Sequence, residues 1–324
     1  MTTSLAAPFT SLRTQGYTLI RSFLDLDEIE LLRQDFEDSP LEVNANYSVR
    51  RVSEKVLNQL DAKLAAVNKI VREEASVDVD LLNDGVYFAT FSEKSTLTSV
   101  RPGAQAFPWH QDHENYWLWH DTWNYLNYYI PVVKPVLEKS NLTVVPFDRL
   151  EQRVPELYRK MLRRGATRVI GSGSRWVVKD DDRGGKLGTL HFDLAEIEDT
   201  PQLAPGDLLL MRGDLIHRTQ DSSTKRIAAS FRYVNSKTPV RRSYITRGGF
   251  VKAIMTTNAR YLFEPALDCL EHAGKDELPA GELDAYLKEL RRKRLQGEAA
   301  ANPSRIGFLA RVVKDKLFGG NLSS

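Results

Sequence analysis

The strongest constraint on the fold is a series of short β-prone segments that fills the middle of the chain. Turn-forming residues separate these segments, which are rich in β-branched and aromatic residues. They are GVYFATF (85–91), LNYYIPV (126–132), NLTVVPF (141–147), TRVIGSG (167–173), SRWVVK (174–179), LHFDLAEI (190–197), DLLLMR (207–212) and RIAASFRYV (226–234). Short strands without regularly alternating helices are typical of an antiparallel barrel or sandwich rather than of βαβ units. One helix, predicted over about 149–164, interrupts the series.

Helical patterns flank this region on both sides. DLDEIELLRQDFED, with Asp25 or Asp27 as N-cap, places apolar residues on one face, and residues 53–76 form a second amphipathic pattern. After residue 258 the pattern is helical again, as in GELDAYLKELRRKRLQ (281–296). The charged glycine segment DDDRGG (180–185) predicts an exposed tip or a flap.

These patterns predict a mainly β fold with flanking helices. We assign residues 1–257 to one domain and residues 258–324 to a helical extension packed on it. Within the domain, residues 9–76 form a helical part and about 84–235 form the β core. A homodimer through the C-terminal helices is an open expectation.

Composition limits the partners of the chain. Its 45 basic and 43 acidic side chains give a net charge of +2, which provides no overall field for nucleic acid. Cys269 is the only cysteine, so the chain has no internal disulfide and no CxxC metal motif, as expected of a reducing compartment. No apolar run approaches the roughly 20 residues that span a bilayer, and the first residues do not resemble a signal peptide. We therefore expect a cytoplasmic protein that binds neither nucleic acid nor membrane.

The segment FPWHQDHENYWLWHDTW (107–123) contains candidate metal ligands. On a strand, His110 and Asp112 would project to one face while Gln111 faces away. His217, in PGDLLLMRGDLIHRT, opens another predicted strand, which sheet pairing could bring beside the first. Two histidines and one carboxylate on a β scaffold form the ligand set of non-haem Fe(II) oxygenases and leave coordination positions open for a cosubstrate and O2.

Three other histidines are weaker candidates for this ligand set. His113 would face the other way if the strand continued, and His120 suits a packing role. His191 repeats the H-x-D pattern with Asp193, but without the Trp-His context of His110.

Arg226 indicates which cosubstrate would bind. It lies nine residues after His217, across a turn on the returning strand, where its guanidinium would point into the same cavity. A buried guanidinium grips a carboxylate in a bidentate manner. 2-Oxoglutarate fits, because its keto-acid end can chelate iron while its far carboxylate reaches Arg226. Asn127 and Tyr129 share a face of their strand and are further candidates to hold 2-oxoglutarate.

Five segments resemble one family of enzymes. GYTLIRSFLDLDEIELLRQDF, RPGAQAFPWHQDHENYW, NLTVVPFDRL, PGDLLLMRGDLIHRT and RIAASFRY occur in the order seen in phytanoyl-CoA dioxygenase-like Fe(II)/2-oxoglutarate oxygenases. The resemblance covers roughly residues 9–235. It implies a double-stranded β-helix, which is a jelly-roll or cupin-like barrel. It also implies that His110, Asp112 and His217 bind iron and that Arg226 anchors 2-oxoglutarate.

The expected function is hydroxylation of an unactivated C–H bond in a small polar or anionic metabolite, with release of succinate and CO2. The cofactors would be Fe(II), 2-oxoglutarate and O2. Residues near the predicted pocket that are candidates for substrate contact are Arg232, Arg101, Gln105, Tyr116 and Trp117.

Several alternatives remain open at this point. The same iron chemistry could produce desaturation, ring formation or C–N cleavage. The barrel could instead be a catalytically silent binding module. A cupin-like metal enzyme that does not use 2-oxoglutarate is the third alternative.

Overall fold

The computed structural model describes residues 9–43, 48–90, 107–172, 175–295 and 305–318. Within these ranges the chain forms antiparallel sheets flanked by helices, as predicted, although the helices contain more residues than the strands. The helices are α1 (Ser11–Thr14), α2 (Leu26–Asp38), α3 (Glu54–Ala75), α4 (Glu114–Trp119), α5 (Phe147–Arg153), α6 (Pro155–Met161), α7 (Arg242–Thr246), α8 (Phe250–Asn258), α9 (Arg260–His272), α10 (Ala280–Leu295) and α11 (Arg305–Phe318).

The strands lie mainly between α3 and α7. They are β1 (Tyr17–Ile20), β2 (Leu41–Val43), β3 (Ser48–Arg51), β4 (Leu81–Thr90), β5 (Tyr125–Val133), β6 (Leu142–Val144), β7 (Thr167–Ser172), β8 (Arg175–Asp180), β9 (Lys186–Leu190), β10 (Leu208–Arg212), β11 (His217–Thr219), β12 (Arg226–Val234), β13 (Pro239–Arg241) and β14 (Glu277–Pro279).

A seven-stranded antiparallel sheet, the large sheet, has the order β1-β10-β5-β12-β4-β3-β2. Side chains alternate between its two faces, so the register assigns each residue to a face. The outer face packs on α2 and α3, with Tyr128, Leu210 and Phe231 in one cluster with Leu32 and Leu64. Most of the amphipathic N-terminal helical region therefore serves to cover this sheet.

A second set of strands forms the small sheet. β11 pairs with β6, and β7, β8 and β9 pair in that order. A single residue, His110, joins the two groups, because it pairs with both His217 and Arg168. The resulting order is β9-β8-β7, the His110 segment, then β11-β6.

The two faces of the small sheet pack on different partners. Its outer face, with Val169 and Val178, packs on α5 and α6. On its inner face Val144 shares a cluster with Tyr129 and Leu209 of the large sheet. The two sheets thus meet face to face around one apolar layer, and closure into a jelly-roll barrel stays a prediction.

The C-terminal helices share a hydrophobic cluster with the β core. Trp117, Trp119 and Val234 pack there with Phe263 of α9 and Phe308 of α11. The 180–185 segment adds polar contacts, because Lys252 Nζ donates to Asp182 Oδ1 at 2.5 Å and Gly249 N donates to the Asp182 carbonyl at 2.7 Å. The helices from residue 242 onward are therefore joined to the β core by apolar packing and by a buried ion pair.

The prediction of an exposed 180–185 segment is wrong for its three aspartates. Asp180, Asp181 and Asp182 are buried, and each pairs with a cation, Arg164, Arg168 and Lys252 respectively. A buried carboxylate is tolerated only when it is paired and hydrogen-bonded, and these partners provide the pairing. Only the Arg183–Gly185 part is exposed.

Two element predictions also differ from the structure. The helix predicted over 149–164 is two helices, because the chain leaves helical geometry at Val154 (φ −147°) and restarts at Pro155. The strand predicted over 190–197 ends at Leu190, and Asp193 then caps a short 3₁₀ helix, Leu194–Glu196. Local capping and proline chemistry outweigh the apolar pattern at both places.

None of the helices in the described ranges is long and apolar enough to cross a membrane. α8 and α11 expose apolar side chains, among them Phe250 and Ile306.

Candidate metal centre

His110 and His217 form one antiparallel backbone pair. His110 N donates to the His217 carbonyl at 3.0 Å, and His217 N donates to the His110 carbonyl at 2.9 Å. Residues paired in this way place their side chains on the same face of the sheet. The two imidazoles accordingly lie side by side, with ring centroids 4.3 Å apart.

Each imidazole is oriented by the carbonyl two residues before it. His110 Nδ1 lies 2.7 Å from the Pro108 carbonyl, and His217 Nδ1 lies 3.0 Å from the Leu215 carbonyl. A carbonyl only accepts, so both Nδ1 atoms carry a proton, and Nε2 is the atom of each ring that is placed to bind a metal. Burial and the neighbouring His217 lower the pKa of His110 to about 3, against the opposing effect of Asp112. His110 is thus neutral, the form that binds metals.

Asp112 completes the cluster. Its backbone carbonyl accepts from Ala166 N at 2.8 Å, and its Oδ2 accepts from Tyr125 Oη at 3.2 Å. Burial alone would raise its pKa, but His217, Arg232 and His110, together with the Tyr125 hydrogen bond, hold the pKa below its usual value. The carboxylate is therefore ionised and able to bind a cation.

The geometry of these three side chains suits a single metal ion. One potential ligand atom from each lies within 4.8 Å of the others, and His217 Nε2 is 3.7 Å from Asp112 Oδ1. Two ligand atoms at about 2.1 Å from one ion and at right angles are about 3.0 Å apart, so small side-chain shifts would complete coordination. The structure therefore brings together the three residues that the sequence selected.

A second polar group lies next to the cluster. His113 Nε2 is 3.0 Å from Asp181 Oδ2, and the Arg168 guanidinium donates to both oxygens of Asp181. The His113 and His110 ring centroids are 6.2 Å apart. His113 faces the cluster because the strand does not continue past Asp112, and α4 begins at Glu114 instead. Asp181 therefore connects His113 and Arg168, which both adjoin the candidate ligands. No sequence motif indicates this role of Asp181.

Arg226 and Tyr129 lie together on the inner face of the large sheet. Both are buried, and the Arg226 guanidinium lies over the Tyr129 ring at 5.8 Å. Arg226 Nη1 donates to the Ser140 carbonyl at 2.9 Å. Arg226 Nε and Tyr129 Oη are buried without a hydrogen-bond partner among the described residues. Native structures rarely leave such atoms unpaired, so these two atoms are suited to an acidic ligand.

Asn127 and Arg232 are directly paired across β5 and β12, so they share the inner face of the large sheet. Asn127 Oδ1 accepts from Ser230 Oγ at 2.7 Å, which occupies one side of its amide. Arg232 lies over Phe88 at 5.4 Å and is among the charges that lower the pKa of Asp112. Arg232 is therefore near the metal cluster, and Asn127 lies between Arg232 and Tyr129 on that face.

The aromatic candidates for substrate contact have packing roles. Trp117 is fully buried in the cluster with Phe263 and lies against His113. Tyr116 stacks on His120 with a centroid distance of 4.6 Å, and Tyr244 stacks on the other side of His120 at 4.0 Å. Tyr116 and Trp117 belong to helix α4 rather than to a strand. Their contact with a substrate stays a prediction.

The remaining candidates lie elsewhere. Arg101 and Gln105 fall outside the described residues. His191, the second H-x-D histidine, is exposed and does not belong to the metal cluster.

No protein-family model matches the sequence, and no curated protein matches it. The chain is similar to three solved structures in particular. SnoK, a non-haem α-ketoglutarate-dependent carbocyclase from nogalamycin biosynthesis, is 14% identical over 74% of this chain and 86% of its own, with a TM-score of 0.48. HygX from Streptomyces hygroscopicus, with nickel and 2-oxoglutarate bound, is 16% identical over 73% and 88%, with a TM-score of 0.44. EctD from S. alaskensis, in its apoform, is 14% identical over 73% and 79%, with a TM-score of 0.45. Likenesses with TM-scores below 0.5 carry no weight for the function of this chain.

Proposed function

We propose that the protein is an Fe(II)- and 2-oxoglutarate-dependent oxygenase that hydroxylates a C–H bond of a small molecule and releases succinate and CO2. The observation that carries the proposal is the preformed group of His110, Asp112 and His217 on the inner face of a β scaffold. The order of the sequence motifs supports a place in the phytanoyl-CoA dioxygenase-like group, and we propose that the two stacked sheets are the halves of its jelly roll.

The donor set favours iron. Two imidazole nitrogens and one carboxylate, with no fourth protein ligand in the described cluster, are the pattern of non-haem Fe(II) oxygenases. Three protein ligands leave positions for two oxygens of a keto acid and for O2. When bound, iron and 2-oxoglutarate supply the oxidising chemistry that amino-acid side chains lack.

Arg226 and Tyr129 account for the choice of cosubstrate. A buried guanidinium with one unpaired N–H is unfavourable in the absence of an acceptor, and a carboxylate beside Arg226 Nε and Tyr129 Oη would satisfy both atoms. The far carboxylate of 2-oxoglutarate supplies this acceptor while its keto-acid end faces the metal cluster. A catalytically silent binding module would not need both the three candidate metal ligands and the unpaired donors of Arg226 and Tyr129.

The surrounding residues hold the ligands in place. Tyr125 donates to Asp112 and so limits the rotation of its carboxylate. The carbonyls of Pro108 and Leu215 fix the imidazole planes. Such support raises both the affinity and the precision of a metal site.

The test is direct binding followed by turnover. Iron(II) and 2-oxoglutarate are titrated without O2 into the wild-type protein, the Asp112→Ala variant and the His191→Ala control, and succinate is then measured after O2 is added with a panel of small metabolites. We expect wild type and His191→Ala to bind iron tightly and to form succinate, and Asp112→Ala to do neither. Equal iron binding by Asp112→Ala and wild type would refute the assignment.

A further inference from the structure

We propose that the substrate carries an anionic group and that Lys179 and Lys186, on the inner face of the small sheet, bind that group. This inference rests on the proposed function, because it places the anion relative to the metal cluster. It concerns a surface formed by the inner faces of β7, β8 and β9, which we call the basic face.

The register connects the basic face to the metal cluster. One line of directly paired residues runs across the small sheet and consists of His217, His110, Arg168, Lys179 and Lys186. Directly paired residues of neighbouring antiparallel strands share a face. The two lysines therefore lie on the same side of the sheet as the two candidate metal ligands.

The charges on this line are unbalanced. Arg168 is neutralised by Asp181, but within the described chain neither Lys179 nor Lys186 has an acidic partner. The two lysines are paired where the register shifts at a β-bulge between Val178 and Lys179, and like charges opposite each other destabilise a sheet. An anion bound between them would remove the repulsion.

The neighbouring line on the basic face is mostly apolar. Ile170 pairs with Val177, which pairs with Thr189. Ile170 is 48% exposed, although the opposite face of the same strands is covered by α5 and α6. A partly exposed, mostly apolar strip beside two cations without acidic partners suits a ligand with an apolar body and an anionic end.

The strand spacing sets the length of this ligand. Neighbouring strands lie about 4.8 Å apart, so Lys179 and Lys186 lie about 10 and 14 Å from His110 along the sheet. The expected substrate is therefore an extended molecule with a carboxylate, phosphate or sulfate about 10–14 Å from the carbon that is oxidised.

Phenyl phosphate is a suitable probe, with benzyl alcohol as the uncharged comparison. The protein is loaded with Mn(II), and paramagnetic relaxation of the phosphorus nucleus gives the metal–phosphorus distance. The affinity is measured for wild type, for the Lys179→Gln/Lys186→Gln variant and for Lys139→Gln/Lys160→Gln, which removes the same charge from exposed positions elsewhere.

We expect phenyl phosphate to bind at a metal–phosphorus distance of about 10–14 Å. The Lys179→Gln/Lys186→Gln variant should bind about tenfold more weakly than wild type, the control variant should match wild type, and benzyl alcohol should bind more weakly than the phosphate. A distance short enough for phosphate to bind the metal, equal affinity of the two double variants, or no binding by wild type would overturn the proposal.

The same affinities measured without metal separate the two proposals. If Mn(II) fails to bind, the proposed function is contradicted, whereas a loss of phosphate affinity on changing the lysines still supports the basic face. If Mn(II) binds and the lysine variant has wild-type affinity for phosphate, only the basic face is refuted.

Discussion

His110 and His217 exchange both of their backbone hydrogen bonds, although they lie in distant parts of the sequence. Their separation is therefore set by a β pair rather than by flexible side chains. Because each ring is also fixed by a carbonyl two residues earlier, most of the site geometry exists before a metal binds. Metal binding then requires little further ordering of the ligand side chains, which favours tight binding.

The first prediction concerns the metal. Removal of supporting residues around a metal site typically costs 10- to 100-fold in affinity, so removal of a direct ligand should cost at least about 100-fold. We expect His217→Ala to lose Fe(II) binding to this extent in anaerobic titration. The control is His191→Ala, an exposed histidine that also belongs to an H-x-D sequence. If His191→Ala lowered the Fe(II) affinity as much as His217→Ala, the metal would not bind at the proposed cluster.

The second prediction concerns Tyr129. Its hydroxyl is buried without a partner among the described residues, so Tyr129→Phe should change the free energy of unfolding by no more than about 0.5 kcal/mol. The variant should nevertheless bind 2-oxoglutarate more weakly, because the hydroxyl is proposed to contact its carboxylate. Urea unfolding and 2-oxoglutarate titration on the same samples test both parts. Wild-type affinity for 2-oxoglutarate would exclude this contact.

Arg226→Met gives the third prediction. A charge-assisted hydrogen bond contributes about 1.5–3 kcal/mol, so loss of one should raise the 2-oxoglutarate dissociation constant about 10- to 150-fold. Metal affinity should stay unchanged, because Arg226 is not a ligand. Titration of the metal alone and then of 2-oxoglutarate distinguishes this result from general misfolding, which would lower both affinities.

The fourth prediction is a pH dependence of stability at His120. Burial lowers the pKa of this histidine to about 4, from a usual value of 6.5, with further effects from Lys252, Asp182, Arg183 and Arg241. Below pH 6.5 the unfolded chain takes up a proton that the folded chain resists, so stability is highest above pH 6.5 and falls as the pH drops towards 4. The loss should be about 2–3 kcal/mol.

Unfolding by urea at pH 7.5 and pH 4.5 measures this contribution. His120→Phe preserves the ring that stacks between Tyr116 and Tyr244 but cannot be protonated. The fall in stability between the two pH values should be smaller in this variant than in wild type. An equal fall would assign the acid sensitivity to other groups.

The fifth prediction concerns the buried pair of Lys252 and Asp182. Lys252→Met leaves the Asp182 carboxylate buried without its cation, which typically costs about 3–5 kcal/mol. Lys252→Met/Asp182→Asn should cost less than the sum of the two single changes, because the double variant buries no lone charge. Additive costs in urea unfolding would show that the two side chains do not stabilise each other.

The sequence was informative where function depends on local pattern. The two-residue alternation of strands correctly placed Gln111 away from the metal cluster, since its side chain donates instead to the Met161 and Asp214 carbonyls. Of the two predicted N-cap candidates, Asp25 caps α2 with a capping box, and Asp27 lies in the first turn of the helix. The prediction that His217 lies close to Asp112 needed one further assumption, that the sheet joins two segments distant in sequence. In the structure these two side chains do lie close together.

The sequence was uninformative where a residue's role depends on distant partners. Three consecutive aspartates followed by Arg-Gly-Gly have the composition of a solvated turn, and nothing in the segment shows that Arg168 and Lys252 will cover them. If the strand continued past Asp112, its alternation would place His113 on the opposite face. The start of α4 at Glu114 reverses that assignment.

Asp181 and Asp182 are adjacent residues of one turn that bond to different parts of the molecule. Asp181 pairs with His113 beside the candidate ligands, and Asp182 pairs with Lys252 of α8. Occupancy of the metal cluster and attachment of the terminal helices should therefore be thermodynamically linked, and linkage acts equally in both directions. A change that stabilises the attached helices should raise the affinity of the cluster for a metal ion, and a bound ion should slow hydrogen exchange in α8.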